Sequence, residues 1–182
     1  MASATVTTIH AALRQPKVGE VSFDGVVMPY KSPVDKILAA LLVYYRSATP
    51  ITTLEFWKDN VCPPEQFALW RDARIYPIDL DDRKYHEAGV ESAAEFVARE
   101  FGMELSDGFA KLVELINKNN KTGMLKGYKF SVAFMLRELY ELDDSEAFHA
   151  TIVSKTLEVL ESYAQVENGQ IAQTLEGLDE AL

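Results

Sequence analysis

SPVDKILAALLVYYRS, residues 32–47, is the stretch on which the fold turns. Ser32 is placed to cap a helix, Pro33 suits the first helical position, and Asp35 faces the positive end of the helix dipole. From Ile37 to Tyr45 the chain is apolar on every side, so the helix is expected to be buried on most faces. Pro50 stops it near Ser47. A membrane-spanning helix takes about 20 apolar residues, so this shorter run is read as the central core helix.

Working upstream, Val21-Ser22-Phe23 and Val26-Val27-Met28 flank Asp24-Gly25. Asp-Gly favours a two-residue type I′ turn, so residues 21–28 read as a β-hairpin with Val21, Phe23, Val26 and Met28 on one face. The stretch before Glu20 is rich in Ala and Thr, with Arg14 and Lys17 as its bases. It lacks a secretory pattern and reads as a frayed terminus or short helix rather than a transit segment.

Downstream, Thr52-Thr53-Leu54-Glu55 has the form of a capping box for a short helix through Asn60. Pro63-Pro64-Glu65 opens another, with Phe67 and Trp70 inward, ending near Arg74. Ile75 to Leu80 could add a strand, and Pro77 confines it to a sheet edge. Residues 79–89 are polar and link two lobes, about 1–80 and 90–166.

The second lobe reads as helices in series. Ser92-Ala93-Ala94-Glu95 is a capping box, followed by Ala94, Val97, Ala98 and Phe101 at helical spacing and by Gly102 as a stop. Ser106 opens the next helix, with Phe109, Leu112, Val113 and Ile116 in the same pattern and a turn at Asn119–Gly123. Further helices are expected over 127–141 and 146–165, separated by Asp143-Asp144-Ser145. The tail, 168–182, carries Ile171, Leu175, Leu178 and Leu182 on one face. The fold class expected is a mainly α, multi-helix globular bundle with a small N-terminal β-hairpin, folded as a single domain over 1–182. The helices of residues 33–47, 107–118, 127–141 and 146–165 should share the core, with Leu42, Phe134 and Leu157 inside it.

Composition narrows the functional classes. The chain has 182 residues, 48% apolar and 25% charged, enough to bury a core without metal or disulfide. Cys62 is the single cysteine, so no intrachain disulfide or thiolate metal cage can form. That suits a reducing, cytoplasmic setting. Net charge is −10, and it is segregated. From Glu138 to Leu182 there are eleven acids and one base, Lys155, whereas the chain before Glu138 carries as many bases as acids. Such a distribution repels nucleic acid and anionic lipid and attracts a basic partner.

Four constellations are candidates for function. Glu146-x-x-His149 has the spacing of carboxylate-bridged metal pairs, but His10 and His86 have no Glu three residues before them, so a second pair is missing. Glu146 there reads as a helix-start acid. Asp79, Asp81, Asp82, His86 and Glu87 could supply oxygen and imidazole ligands to a divalent cation, chiefly Asp79, Asp82 and His86, yet charge runs usually face water. Lys118, Lys121, Lys126 and Lys129, interleaved with Asn and aromatic residues, could contact an anion or nucleic acid, without any nucleic-acid fold signature. The acidic C-terminal helices and tail, with Glu158, Glu161, Leu175, Leu178 and Leu182, could dock a protein partner.

No phosphate-binding glycine loop, Gly-x-Ser-x-Gly elbow or His-Glu-x-x-His is present, and no cofactor is implied. The sequence alone thus points to a non-enzymatic interaction module, an assembly subunit, adaptor or inhibitor. It would bind a protein partner or itself through its acidic C-terminal surface, without membrane insertion. The alternative is a small metal-dependent enzyme centred on Asp79, Asp82 and His86. Nucleic-acid contact through Lys118–Lys129 comes third.

Overall fold

The computed structural model describes residues 3–5, 21–59, 62–80, 89–90, 92–123 and 131–167. Four strands and six helices are present among them, in the order β1 (Ser3–Thr5), β2 (Gly25–Pro29), α1 (Val34–Arg46), β3 (Thr53–Trp57), α2 (Pro64–Asp72), β4 (Ile75–Pro77), α3 (Ala93–Glu100), α4 (Asp107–Thr122), α5 (Val132–Tyr140) and α6 (Glu146–Glu167). Helix dominates, as expected from the sequence.

The sheet departs from that expectation. It has four strands in the order β1-β3-β2-β4. β2 is central and pairs in parallel with β3 (Val26 opposite Leu54, Met28 opposite Phe56) and with β4 (Val26 opposite Tyr76). β1 adds antiparallel to β3, with Ala4 opposite Leu54. The residues 21–28 hairpin is therefore incorrect: Val21–Phe23 form no strand, and Asp24-Gly25 is not its turn. Gly25 opens β2, where a Cβ would stand 2.9 Å from the Thr53 Cβ. Its smallness serves close strand approach rather than a turn. Asp24 instead binds the residue before β4, its N–H donating to the Arg74 carbonyl.

The helix expected over Thr52–Asn60 is also replaced, by β3. Leu54 and Phe56 point into the core while Thr53, Glu55 and Trp57 alternate on the other face, the period of a strand. β4 is an edge strand, consistent with Pro77. β2 to β3 and β3 to β4 are each joined through a helix, the connection that parallel pairing requires.

Both faces of the sheet are covered. One carries Val26, Met28, Leu54, Phe56 and Tyr76 into a core that α1 fills with Ile37 to Val43. Behind α1 lie α3, α4, α5 and α6, contributing Val97, Leu112, Ile116, Leu136, Val153, Leu157 and Ala164. On the other face α2 places the buried Trp70 edge-on to Trp57, with ring centroids 5.5 Å apart. Leu42 and Leu157 are fully buried as expected, but Phe134 lies only half-buried at the margin.

Helix ends follow the sequence more closely than the strands do. The Ser92 side chain accepts from Glu95 N–H and Ser131 from Phe134 N–H. Gly102 and Gly123 follow their helices with φ of +56° and +65°. At α1, however, Ser32 does not cap. Its hydroxyl donates to the Pro29 carbonyl at 2.5 Å, and Pro33 is the cap residue.

Candidate functional site at the carboxyl edge of the sheet

In parallel α/β sheets, ligand sites form beyond the carboxyl ends of the strands, where successive connections leave in opposite directions. Here that place is the end of β2. The chain leaves β2 for β3 on one side, then returns past β2 to β4 on the other. Only residues 30–33 separate β2 from α1, so the first turn of α1 is held at this edge.

Three lysines line the edge, and each faces carboxylate. Lys31, just after β2, lies 3.6 Å from Glu141 and 3.5 Å from Asp144. Lys36, in the first turn of α1, lies 2.6 Å from Asp79, which follows β4. Lys58, just after β3, lies 2.9 Å from Glu146 and 4.6 Å from the centre of the Tyr30 ring. Lys31 and Asp79 both hold left-handed backbone, with φ of +54° and +49°. Non-glycine residues so held cost free energy and concentrate at functional sites.

Asp35 is the buried member of this group. Burial holds its carboxyl above the ordinary aspartate value. The Lys36 ammonium opposes this, and the charge of Asp79 adds to it. Its carboxylate also accepts from the backbone N–H of Lys36 and of Ala93, the first residue of α3. The amino-terminal ends of α1 and α3, both positive, thus converge on it. The edge holds two carboxylates of different environment beside a lysine, an arrangement able to move a proton.

The second half of the edge is aromatic. His149 is fully buried, its ring 4.3 Å from that of Tyr30 and 4.9 Å from that of Tyr140. Its Nε2 lies 3.0 Å from the Asp143 carbonyl, which fixes Nε2–H as donor, while Nδ1 is buried with no hydrogen-bond partner among the described residues. Burial pushes its pKa below the usual histidine value. The Tyr30 hydroxyl donates to the Asp144 carbonyl at 2.6 Å, and the Tyr140 hydroxyl to the Ser32 carbonyl at 3.0 Å. The α5–α6 junction is thereby fastened to the β2–α1 loop.

The residues singled out from the sequence are distributed as follows. Asp79 belongs to the edge, whereas Asp82 and His86 lie outside the described residues. Among the described residues no three His, Cys, Asp or Glu side chains are grouped to hold a metal ion. Glu146 and His149 do not act as a ligand pair, since Glu146 faces Lys58 and His149 faces Asp143. Lys118 and Lys121 are exposed on α4, along a shallow cleft shared with Glu95 and Glu114, and those acids oppose a phosphate backbone. Lys126 and Lys129 lie outside the described residues.

Of the partner-binding residues, Glu158 pairs with Lys155 at 2.9 Å. Glu161 is buried, 4% exposed, and accepts from the Tyr45 hydroxyl. Leu175, Leu178 and Leu182 lie outside the described residues. Asp35, Lys36, Tyr30, Lys31 and Lys58 were not singled out as functional. Their signal was the order strand–helix–strand, which places the residue after each strand at one edge.

Among the described residues no helix is long and apolar enough to cross a membrane. Comparison of the chain with known protein-family models, curated proteins and solved structures finds no match.

Proposed function

We propose that the chain binds a small anionic molecule at the carboxyl edge of its sheet and performs acid–base chemistry on it with Asp35 and Asp79. The observation that carries this reading is the Asp35–Lys36–Asp79 group at the topological switch point, at the amino-terminal ends of two helices. Asp35, raised by burial, is suited to hold a proton. Lys36, drawn from Asp79 by an incoming anion, would anchor its negative charge and release the Asp79 carboxylate from that ammonium to accept a proton.

Inorganic phosphate is the probe. Titrated at low ionic strength, it should shift the backbone amides of Ser32, Lys36 and Ala93 saturably, and Lys36→Gln should abolish the effect while the protein stays folded. Shifts scattered over the surface, or unchanged in Lys36→Gln, defeat the anion site. The proton-transfer half is read from the Asp35 carboxyl carbon. Its titration should move to lower pH in Asp79→Asn, because a repelling charge is removed and Lys36 is released toward it. A titration that stays put removes the coupling. A cation-dependent version with Asp79, Asp82 and His86 as ligands requires Asp79 to release Lys36. Stoichiometric metal in the purified protein, lost in His86→Ala, would establish that version.

An interaction module is the second reading, favoured by a separate observation. Met135, Leu139 and Leu142, spaced along α5 and the turn after it, are 44%, 37% and 74% exposed. Glu138 and Glu141 border them, which suits a partner whose apolar strip is rimmed by Lys or Arg. Leu139→Lys with Leu142→Lys should abolish capture of such a partner or self-association. An unchanged native mass and unchanged partners would remove this reading.

A further inference from the structure

A separate cavity lies against β4, an edge strand of the sheet. Its volume is about 540 Å³, and it is lined by Phe23, Phe67, Tyr76 and Phe96, with Arg71 and Arg74 among its polar walls. That volume is in the range of small-ligand sites, which combine apolar walls with a few placed polar groups. The walls are organised: Phe23 meets Tyr76 edge-on with centroids 5.3 Å apart, and Phe67 meets Trp70 edge-on at 5.6 Å.

The two arginines differ. Arg74 has left-handed backbone, φ +54°, and its guanidinium forks onto Asp24 at 2.8 and 2.5 Å. Its charge is already matched. Arg71, in the last turn of α2, pairs with no carboxylate among the described residues. A planar, weakly hydrated cation beside aromatic walls recognises a carboxylate or similar oxyanion through paired N–H donors.

We propose that this cavity binds a flat aromatic anion, with the ring against the aromatic walls and the anionic group on Arg71. The site is independent of the carboxyl edge, since none of Asp35, Lys36 or Asp79 lines it.

Three probes test it by calorimetry on the full chain: 2-naphthoate, its neutral counterpart 2-naphthalenemethanol, and acetate. Naphthoate should bind one site per chain. The alcohol and acetate should each bind at least about tenfold more weakly, one decade being the effect of a single good charge-assisted contact. Arg71→Gln, at an exposed helix position, should weaken naphthoate by a similar factor and leave the alcohol unchanged. It should also leave the phosphate-induced shifts at Lys36 and Ala93 intact, which keeps the two sites distinguishable. Phe67→Ala should weaken both naphthyl compounds. Equal binding of naphthoate and its alcohol, indifference to Arg71→Gln, or absence of a saturable heat overturns the proposal.

Discussion

Replacing Gly108 by alanine should destabilise the protein, although alanine is the better helix former. Gly108 is buried in the first turn of α4, where that helix crosses α6. A Cβ there would stand 2.1 Å from the carbonyl oxygen of Ala164 and 2.8 Å from its carbonyl carbon and Cα. Ordinary contact begins near 3.4 Å, so the two helices would have to move apart to admit the methyl group. The obstructing atoms are backbone, which no rotamer change can move aside. Overpacking costs about 1–3 kcal/mol, and the upper end applies where two helices must shift together. Alanine over glycine returns about 1 kcal/mol of helix propensity. The net expectation is a loss of about 2 kcal/mol, or about 4–8 °C in Tm for a chain of this size. Urea and thermal unfolding measure it directly. A Gly108→Ala protein as stable as the parent, or more stable, would show that α4 and α6 do not approach this closely.

Other outcomes follow from burial and charge. Leu42→Ala should cost about 2–5 kcal/mol in urea unfolding, and Phe134→Ala clearly less, since Leu42 is fully enclosed and Phe134 is at the margin. Glu161→Ala, which removes a buried carboxylate that accepts from the Tyr45 hydroxyl, should cost about 1–3 kcal/mol, whereas Glu158→Ala, in an exposed pair, should stay within about 0.5 kcal/mol. His149 is neutral and depressed in the native state, so the unfolded chain takes up its proton first, near pH 6.5. Its contribution is complete above that pH and is lost as pH falls through it toward the native value, by at most about 1.4 kcal/mol per pH unit. His149→Phe should flatten the stability profile just below about pH 6.5. An unchanged slope assigns the titration elsewhere.

The helices were legible in the sequence because their signals are local. Ser92 caps, Gly102 stops, and the spacing of Leu112, Val113 and Ile116 marks the inward face. The sheet was not, because its pairings are distant. Asp24-Gly25 has the composition of a hairpin turn, yet what selects Gly25 is Thr53, beyond the whole of α1 in the chain and 2.9 Å from where the Gly25 Cβ would be. Val26-Val27-Met28 is apolar without alternation, the mark of a parallel strand covered on both faces, and all three are fully buried. In residues 52–57 a capping-box pattern competed with the alternation of Leu54 and Phe56, and pairing with β2 decided for the strand.

The charge segregation was also legible, but not its use. The acids of the α5–α6 junction meet basic partners within the same chain, Glu141 and Asp144 on Lys31 and Glu146 on Lys58. A count of charges along the sequence cannot show that these lysines stand together at the end of a parallel sheet.

That parallel arrangement underlies both the core and the edge, and scalar couplings across its hydrogen bonds test it most directly. Coupling is expected from the Ile78 amide to the Val27 carbonyl, across a bond of 2.8 Å, and from the Tyr30 amide to the Trp57 carbonyl, also 2.8 Å. Couplings linking Val21–Phe23 with Val26–Met28 instead would restore the hairpin and dissolve the carboxyl edge with it.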